Sequence, residues 1–392
     1  MDTSNSRPLD VSIIGIGQTQ VAEHWSVSLR HLALKAIQAA LADAGVKKVG
    51  ALYVGNMTAG TLSHQQHLGA MLADFAGLRG VEAVTIEAAE ASGGAAVRQA
   101  VLAVQSGVVD LAMAVGVEKV TDMVGSSATM AQTNSMDADY ESVHGITAAA
   151  LGALLMRRYM HEHGVGLADF AGFSVNAHAN AEGNPFAMYR RAISVDTYLQ
   201  APLVADPVNL FDSAPAGDGA AAVIVCRTER ARDMVPHPVR VAASALATDA
   251  PAVHDRRDPL YLAAANLAAG RAYMAAGIGP DQLNLLELHD SFTVMVALQL
   301  EAAGFAPRGG GWILAGNGDI ARQGRIPIST HGGLKARGDA GGATGVYQLV
   351  EVVQQLRGTA GRCQVPDPHW GMALNLGGAG GTAVAHVLER LV

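Results

Sequence analysis

Residues 84–116 have the sequence VTIEAAEASGGAAVRQAVLAVQSGVVDLAMAVG. A short β-rich run over 84–87 is followed by an Ala-rich helical pattern over 91–106 and an apolar strand over 111–116. Apolar strands that alternate with amphipathic helices are typical of a parallel sheet covered by helices on both faces. This segment therefore predicts an α/β protein.

The same alternation occurs twice along the chain. The first series has strands at 11–15 and 51–55 and helices at 29–44 and 65–75. The second has a strand at 239–243, a helix at 260–276 and a strand at 283–288. In both series a helix ends at Ala-Gly, at 44–45 and 276–277, and the next strand runs into Gly55-Asn56 or His289-Asp290. We interpret this as a duplication with a period of roughly two hundred residues, which is far too long for a solenoid.

Between the two series, residues 121–207 have weaker strand signals and a helical pattern around 146–163. This region predicts a loop domain inserted in the first half. The first half then comprises 1–120 and 208–238, and the second half comprises 239–392.

Composition and charge exclude several classes of function. The 392-residue chain is 50% apolar and 16% charged, with a net charge of −8. Nucleic acid is not an expected partner, because phosphate binding needs a concentrated excess of Lys and Arg. The apolar stretches are short and interrupted by charge, and the polar N-terminus lacks an apolar core. They predict neither a membrane span nor a signal peptide.

The cysteines and histidines indicate a cytoplasmic protein without a metal site. Cys226 and Cys363 cannot form a disulfide framework, and each is expected to be a buried apolar side chain. No paired His/Cys spacing predicts a metal site.

Several motifs carry a family resemblance. They are VGNM at 54–57, GVEK at 116–119, DGAAA at 218–222, and GGLKARG at 332–338 followed by GATG at 342–345. In this order they resemble motifs of the thiolase superfamily. HDSF at 289–292 is similar to the branch of archaeal acetoacetyl-CoA thiolases and sterol-carrier-protein-type thiolases. The resemblance implies the thiolase fold, in which two duplicated βαβαβ halves form a layered αβαβα core with an inserted loop domain.

The sequence departs from this family at the residues of covalent catalysis. Glu90 occupies the place of the nucleophilic cysteine in the family's CASG motif, and Asp339 that of the histidine in GHP. Ser291 stands where the HDCF variant has an acid/base cysteine, and neither Cys226 nor Cys363 lies at a motif position. Because a carboxylate is a far weaker nucleophile than a thiolate, we expect no acyl-enzyme on a cysteine.

The replacements suggest a different site. If the fold is kept, Glu90 and Asp339 face each other across one pocket and share a proton. His289 is expected to donate a hydrogen bond to a thioester or enolate oxygen, with help from Asn375 and from the backbone near Gly377 and Gly378. His331 beside the Gly332-Gly333 turn is a further candidate for substrate binding, suggested by its position and not by the family.

Burial gives an expectation for the titration of Glu90. Desolvation and the nearby Asp339 both raise its pKa, whereas the helix N-terminus lowers it. We expect Glu90 to titrate well above a free glutamate and to hydrogen-bond to Asp339, His289 or water.

Three functional hypotheses follow. The first is an acyl-CoA enzyme of lipid metabolism that makes or breaks a C–C bond by acid/base catalysis, such as retro-aldol cleavage of a β-hydroxyacyl-CoA. The second is a non-catalytic acyl-CoA-binding or scaffolding subunit, in which Glu90 and Asp339 are buried carboxylates at helix N-termini and Ser291 is a helix cap. The third is a near-ordinary thiolase with a misplaced motif alignment.

The resemblance also implies assembly partners. We expect a homodimer, with a small zinc-ribbon/OB-fold protein as a possible further partner. No cofactor is expected apart from the coenzyme A of the substrate.

Overall fold

The computed structural model describes residues 10–123 and 125–391. The strands are β1 Val11–Gln18, β2 Ala51–Gly55, β3 Glu82–Ile86, β4 Leu111–Glu118, β5 Leu203–Ala205, β6 Val208–Asn209, β7 Gly219–Arg227, β8 Val239–Thr248, β9 Leu285–Leu288, β10 Trp370–Gly377 and β11 Thr382–Arg390. The helices are α1 Leu29–Asp43, α2 Ala59–Leu62, α3 Leu68–Phe75, α4 Ser92–Gln105, α5 Ser127–Gln132, α6 Ala148–His163, α7 Leu167–Ala181, α8 Val195–Leu199, α9 Thr228–Met234, α10 Ala263–Ala276, α11 Thr293–Ala302, α12 Ile313–Gly316 and α13 Thr344–Arg357.

The main sheet has the strand order β3-β2-β4-β7-β1-β8-β11-β10-β9. Strands β1 of the first half and β8 of the second pair at its centre. Outward from this pair, β7, β4 and β2 of the first half correspond in turn to β11, β10 and β9 of the second. Beyond β9, the described part of the second half has only an isolated bridge between Leu286 and Ile328 at the position that β3 occupies in the first half. This matched order agrees with the duplication predicted from the sequence.

The strand directions correct one prediction. The sequence predicted a parallel sheet, but the sheet is mixed: β2 is parallel to β3 and β4, and β9 to β10, whereas the other neighbours are antiparallel. An apolar run shows that a strand is buried on both faces, but it contains no information on the direction of its neighbour.

Two helices, α4 and α13, form the central layer and pack against each other. Their close approach requires glycine: a Cβ on Gly93 would lie 2.7 Å from the carbonyl oxygen of Gly342 and 3.1 Å from the backbone nitrogen of Val346. Because the halves share one topology, the N-termini of these helices lie at the same edge of the sheet.

The inserted region contains α5 to α8 and a small antiparallel pair, β5 with β6. Helices α6 and α7 pack on α11 of the second half. Within the described residues, no helix is both long enough and apolar enough to cross a membrane.

Candidate active site

A cavity opens near the N-termini of α4 and α13. Its walls include Glu90, His289, Ser291 and Asp339, together with Gly378. Glu90 precedes α4, Asp339 lies shortly before α13, and His289 and Ser291 follow β9. The duplicated topology directs each of these chain segments to the same edge of the sheet. The structure therefore brings all four predicted catalytic residues to one cavity.

The turn that carries Glu90 is strained. Ala89 has a φ of 53°, in the left-handed region that side chains other than glycine rarely adopt. The buried Ser92 hydroxyl donates to the carbonyl of Ala89 and accepts from the N–H of Ala88. These two hydrogen bonds hold the turn in the conformation that directs Glu90 to the cavity.

The Glu90 carboxylate is partly buried and has an unusual pKa. Its Oε2 accepts a hydrogen bond of 2.7 Å from the backbone N–H of Gly378, and not from Asp339 or His289. Burial, with smaller contributions from the charges of Asp339 and Glu118, raises the pKa of Glu90 to about 7, and the Gly378 bond opposes this rise. Near neutral pH this carboxyl group can therefore either donate or accept a proton.

Glu118 is a buried carboxylate that sequence reasoning missed. It lies at the end of β4 and accepts hydrogen bonds from Asn56 Nδ2, from Thr58 Oγ1, and from the backbone N–H groups of Met57, Thr58 and Gly342. Burial raises its pKa, and these bonds oppose the rise. Glu118 thus joins the loop after β2 to the loop before α13. The feature of the sequence that could have indicated this buried carboxylate is an acidic residue at the end of an apolar strand.

His289 is held from both sides. Its backbone N–H donates to Gln299 Oε1, and Gln299 Nε2 donates to the His289 carbonyl. Asn375 Nδ2 lies 3.3 Å from His289 Nδ1; when the amide donates, the ring proton is on Nε2. Burial lowers the pKa of His289, against the charges of Asp339 and Asp290. A neutral imidazole is therefore favoured, and it can donate a hydrogen bond into the cavity.

Asp339 is fixed by both its backbone and its side chain. Its N–H donates to Pro215 O, and its carbonyl accepts from Gly217 N, each at 2.8 Å. Oδ1 accepts from the backbone N–H of Gly341 and from Thr344 Oγ1, at 3.0 and 2.9 Å. Since both side-chain bonds go to Oδ1, Oδ2 remains for a group in the cavity.

The segment before Asp339 is anchored by a buried ion pair. Arg337 Nε lies 3.1 Å from Glu351 Oε1, and both side chains are almost fully buried. The Arg337 guanidinium lies over the ring of Tyr347, 4.8 Å from its centroid. Arg337 belongs to the GGLKARG motif at 332–338, but the motif alone does not predict this pair.

His331, Gly332 and Gly333 lie away from the cavity walls that carry Glu90. His331 is buried, its Nδ1 lies 3.0 Å from Thr330 Oγ1, and burial lowers its pKa to about 3. A Cβ on Gly332 would meet Ala181, and one on Gly333 would meet Asp290. In this structure the three residues pack the interior and do not line the cavity that contains Glu90, so their predicted role in substrate binding stays a prediction.

Asn375 and Gly377 lie behind the cavity. Asn375 is buried and contacts it through His289. A Cβ on Gly377 would lie 2.4 Å from the carbonyl oxygen of Ala88, so this glycine lets β10 approach the Glu90 turn. Both residues support the site from outside.

Ser291 lines the cavity and does not cap the following helix. Its carbonyl accepts from the N–H of Ala214 at 2.8 Å. The N-cap position of α11 belongs to Phe292, whose side chain makes no capping bond.

Two family descriptions match the chain. The thiolase N-terminal domain matches residues 11–229, and the thiolase C-terminal domain-like family matches residues 245–390. The chain belongs to the thiolase family. Its predicted α/β thiolase fold is thereby confirmed.

Relatives within the thiolase family catalyse different reactions. An acetyl-CoA acetyltransferase of Methanothermobacter thermautotrophicus is 42% identical over 383 residues, which are 97% of this chain and 100% of the relative. A 17-hydroxy-3-oxo-4-pregnene-20-carboxyl-CoA lyase of Mycobacterium tuberculosis is 31% identical over 364 residues, 89% of this chain and 92% of the relative. The solved structure of the Ltp2-ChsH2(DUF35) aldolase superposes with a TM-score of 0.84 at 26% identity, over 98% of both chains. Family membership thus supports an enzyme.

The two cysteines of this thiolase-family chain lie apart from the cavity walls. Cys226 lies on β7 and Cys363 in the turn that follows α13, and both are free and buried. Burial raises the pKa of each thiol to about 11. Both thiols are therefore poor nucleophiles near neutral pH.

A second groove adjoins the cavity in this thiolase fold. Ala214 lines both spaces, and the groove also carries Lys335 and the exposed Arg190 and Arg191. Burial lowers the pKa of Lys335 to about 8. The arginines give the outer part of the groove a positive charge.

Proposed function

We propose that this protein cleaves the C–C bond of a β-hydroxyacyl-CoA by acid/base catalysis, without a covalent acyl-enzyme. The observation that carries the proposal is Glu90, a carboxyl group with a pKa of about 7 that shares one cavity with Asp339 and His289. Glu90 and Asp339 then stand in place of the thiolase cysteine and histidine.

The two carboxyl groups differ in environment, and this difference supports a separate role for each. Asp339 accepts two hydrogen bonds and acts as the base, whereas Glu90, whose pKa is raised by burial, acts as the acid. Asp339 removes the proton of the β-hydroxyl group as its oxygen becomes a carbonyl. The Cα–Cβ bond breaks, and its electron pair forms the enolate of the thioester.

The enolate is then neutralised. The Nε2–H of His289 donates to its oxygen, and Glu90 delivers a proton to Cα. The products are an acyl-CoA and an aldehyde or ketone. Transfer of the proton from Asp339 back to Glu90 restores the starting state.

Coenzyme A can be recognised by the adjoining groove. Its anionic phosphates suit Arg190 and Arg191, and its pantetheine arm would pass Ala214 to reach the cavity. No cofactor beyond the substrate's own coenzyme A enters the proposed reaction.

We further propose a cytoplasmic homodimer with a second protein partner. The two free buried cysteines suit a reducing compartment. The name of the Ltp2-ChsH2(DUF35) aldolase includes a second protein, which supports a small zinc-ribbon/OB-fold partner for this chain.

One observation favours the alternative, a non-catalytic acyl-CoA-binding subunit. The Gly378 N–H donates to Glu90 and is therefore engaged within the protein. If the protein is catalytic, the main hydrogen-bond donor to the enolate oxygen must therefore be His289.

The test is product analysis with a panel of β-hydroxyacyl-CoA thioesters. We expect an acyl-CoA and a carbonyl product from the wild type, and a loss of kcat of about 10²–10⁴-fold in Glu90→Gln. Binding of the substrate should be retained in this variant. Glu23→Gln, a change at an exposed glutamate, is the control.

Two outcomes would contradict the catalytic proposal. Absence of carbonyl products from every thioester would favour the binding subunit. Detection of a thiol-linked acyl group on Cys226 or Cys363 by intact mass would instead indicate covalent chemistry.

A further inference from the structure

Helix α6 supplies an apolar wall to the cavity. Leu151 and Leu155, one turn apart on the same helix face, are 6% and 2% exposed and line the cavity. Phe292 and Met295 complete this apolar side. The cavity therefore combines polar groups such as Glu90, His289 and Asp339 with an apolar lining that suits the acyl portion of a substrate.

A second space begins on the other side of the same leucines. Leu151 and Leu155 also line an open groove with Ile146, Val253 and Pro259. The groove has a volume of about 530 Å³, against about 90 Å³ for the cavity. The two leucines are the shared boundary between a small reactive chamber and a much larger groove, whose surface is mostly apolar although Glu141, Arg158 and Arg256 also line it.

The position of this boundary is fixed by packing. A Cβ on Gly152 would lie 3.0 Å from the ring of Phe292, so the glycine lets α6 approach the cavity closely. At its start, α6 is capped by Thr147, whose side chain accepts from the N–H of Ala150. The positions of the two leucines are therefore fixed by the backbone of α6, which is capped at its start and packed against Phe292.

We propose that Leu151 and Leu155 are specificity-determining residues that restrict the acyl portion of the substrate to a short chain. One water-sized group requires about 10–15 Å³. The cavity therefore holds only a handful of non-hydrogen atoms beside Glu90 and His289. This inference rests on the proposed acyl-CoA function and narrows its substrate class to short-chain β-hydroxyacyl-CoA thioesters.

The test is calorimetric binding of butanoyl-, octanoyl- and dodecanoyl-CoA, which are not cleaved by a retro-aldol reaction. For the wild type we expect no gain in affinity beyond butanoyl-CoA. In the Leu151→Ala/Leu155→Ala double variant the chamber joins the groove, and each methylene buried there should raise affinity about four-fold. Dodecanoyl-CoA should then bind at least about ten-fold more tightly than to the wild type.

The chain offers a matched control. Leu154→Ala changes a leucine of the same helix that is 60% exposed and lines the groove but not the cavity. It should leave the chain-length profile of the wild type unchanged. Because truncation of buried leucines also lowers stability, Leu155→Val provides a milder variant, in which the preferred length should increase by one or two carbons.

The outcomes separate this inference from the proposed reaction. A wild type whose affinity rises steadily to dodecanoyl-CoA, or a folded double variant with an unchanged profile, overturns the role of the leucines. If the wild type shows the expected limit in chain length but cleaves no β-hydroxyacyl-CoA, the role of the leucines is supported and the retro-aldol reaction is contradicted. Absence of binding to any acyl-CoA overturns both.

Discussion

The backbone N–H of Gly378 donates a hydrogen bond of 2.7 Å to Oε2 of Glu90. This bond joins the loop after β10 to the turn before α4, and thereby the second half of the fold to the first. It favours the charged carboxylate and lowers the pKa of Glu90, whereas burial raises it by more, to about 7. The two halves together thus set the protonation state of the central carboxyl group.

The pH dependence of cleavage follows from this pKa. If Glu90 is the acid, the reactive form carries its proton, so kcat/KM should fall as the pH rises through about 7. A pH profile between 5.5 and 9 checks this. A rate that instead rises through pH 7 would assign Glu90 as the base.

The contribution of Asp339 to the Glu90 pKa can be measured without turnover. The charge of Asp339 raises this pKa, so Asp339→Asn should lower the midpoint at which Glu90 titrates. Carbon-13 NMR of labelled glutamate side chains reports the midpoint, and the Glu90→Gln spectrum assigns the signal. An unchanged midpoint in Asp339→Asn would show that the two carboxyl groups do not interact.

The strained turn predicts an unusual effect of glycine on stability. Ala89 has a φ of 53°, which costs an L-residue about 1–2 kcal/mol. Ala89→Gly should therefore raise the free energy of unfolding by about 1 kcal/mol. In contrast, Ala103→Gly in the last turn of α4 should lower it by up to about 0.5–1 kcal/mol. Chemical denaturation of both variants measures these two changes in unfolding free energy, which should have opposite signs. A loss of stability in Ala89→Gly would contradict the strain at Ala89.

The sequence predicted the helices and strands well where the hydrophobic pattern was strong. The strand at 51–55 is β2 itself, and the helix predicted at 91–106 is α4 within one residue at each end. The strand at 239–243 was predicted too short, because β8 continues through an Ala-rich stretch to Thr248 that lacks a strong β signal. The pattern also contained no information on strand direction.

The site was predictable in part for a topological reason. Glu90, His289 and Asp339 all follow strands or precede central helices, and the duplication brings these chain ends together. His331 has a similar local context, but the backbone after Ile328 turns into the interior, where its Nδ1 lies against Thr330 Oγ1. Glu118 was missed because its five hydrogen bonds come from two distant loops.

The edge strand β3 gives a prediction for assembly. Among the residues that the structure describes, β3 pairs with β2 alone, and its Val84 is 43% exposed. Exposed edges favour pairing with another chain, and we expect the proposed homodimer to form there. Light scattering should give a dimer for the wild type and a monomer for Val84→Lys. Val108→Lys, at an exposed valine outside β3, should stay dimeric; a monomeric wild type would contradict the proposal.

The raised pKa of Glu90 links the stability of the protein to pH. Glu90 has a pKa of about 7 in the folded protein, above the ordinary value of 4.5, so the folded state binds more protons between these values. The stability associated with this proton is present below the unfolded pKa and is lost as the pH rises through about 7.

Glu90→Gln removes this titration, while the Oε1 atom of the new glutamine can still accept a hydrogen bond from the backbone N–H of Gly378. Relative to the wild type, the variant should therefore gain about 2–3 kcal/mol of unfolding free energy between pH 5 and pH 8. Urea titrations of both proteins at the two pH values measure this difference, in which the other titrating groups cancel. A difference that does not change with pH would mean that Glu90 ionises in the folded protein as easily as in the unfolded chain.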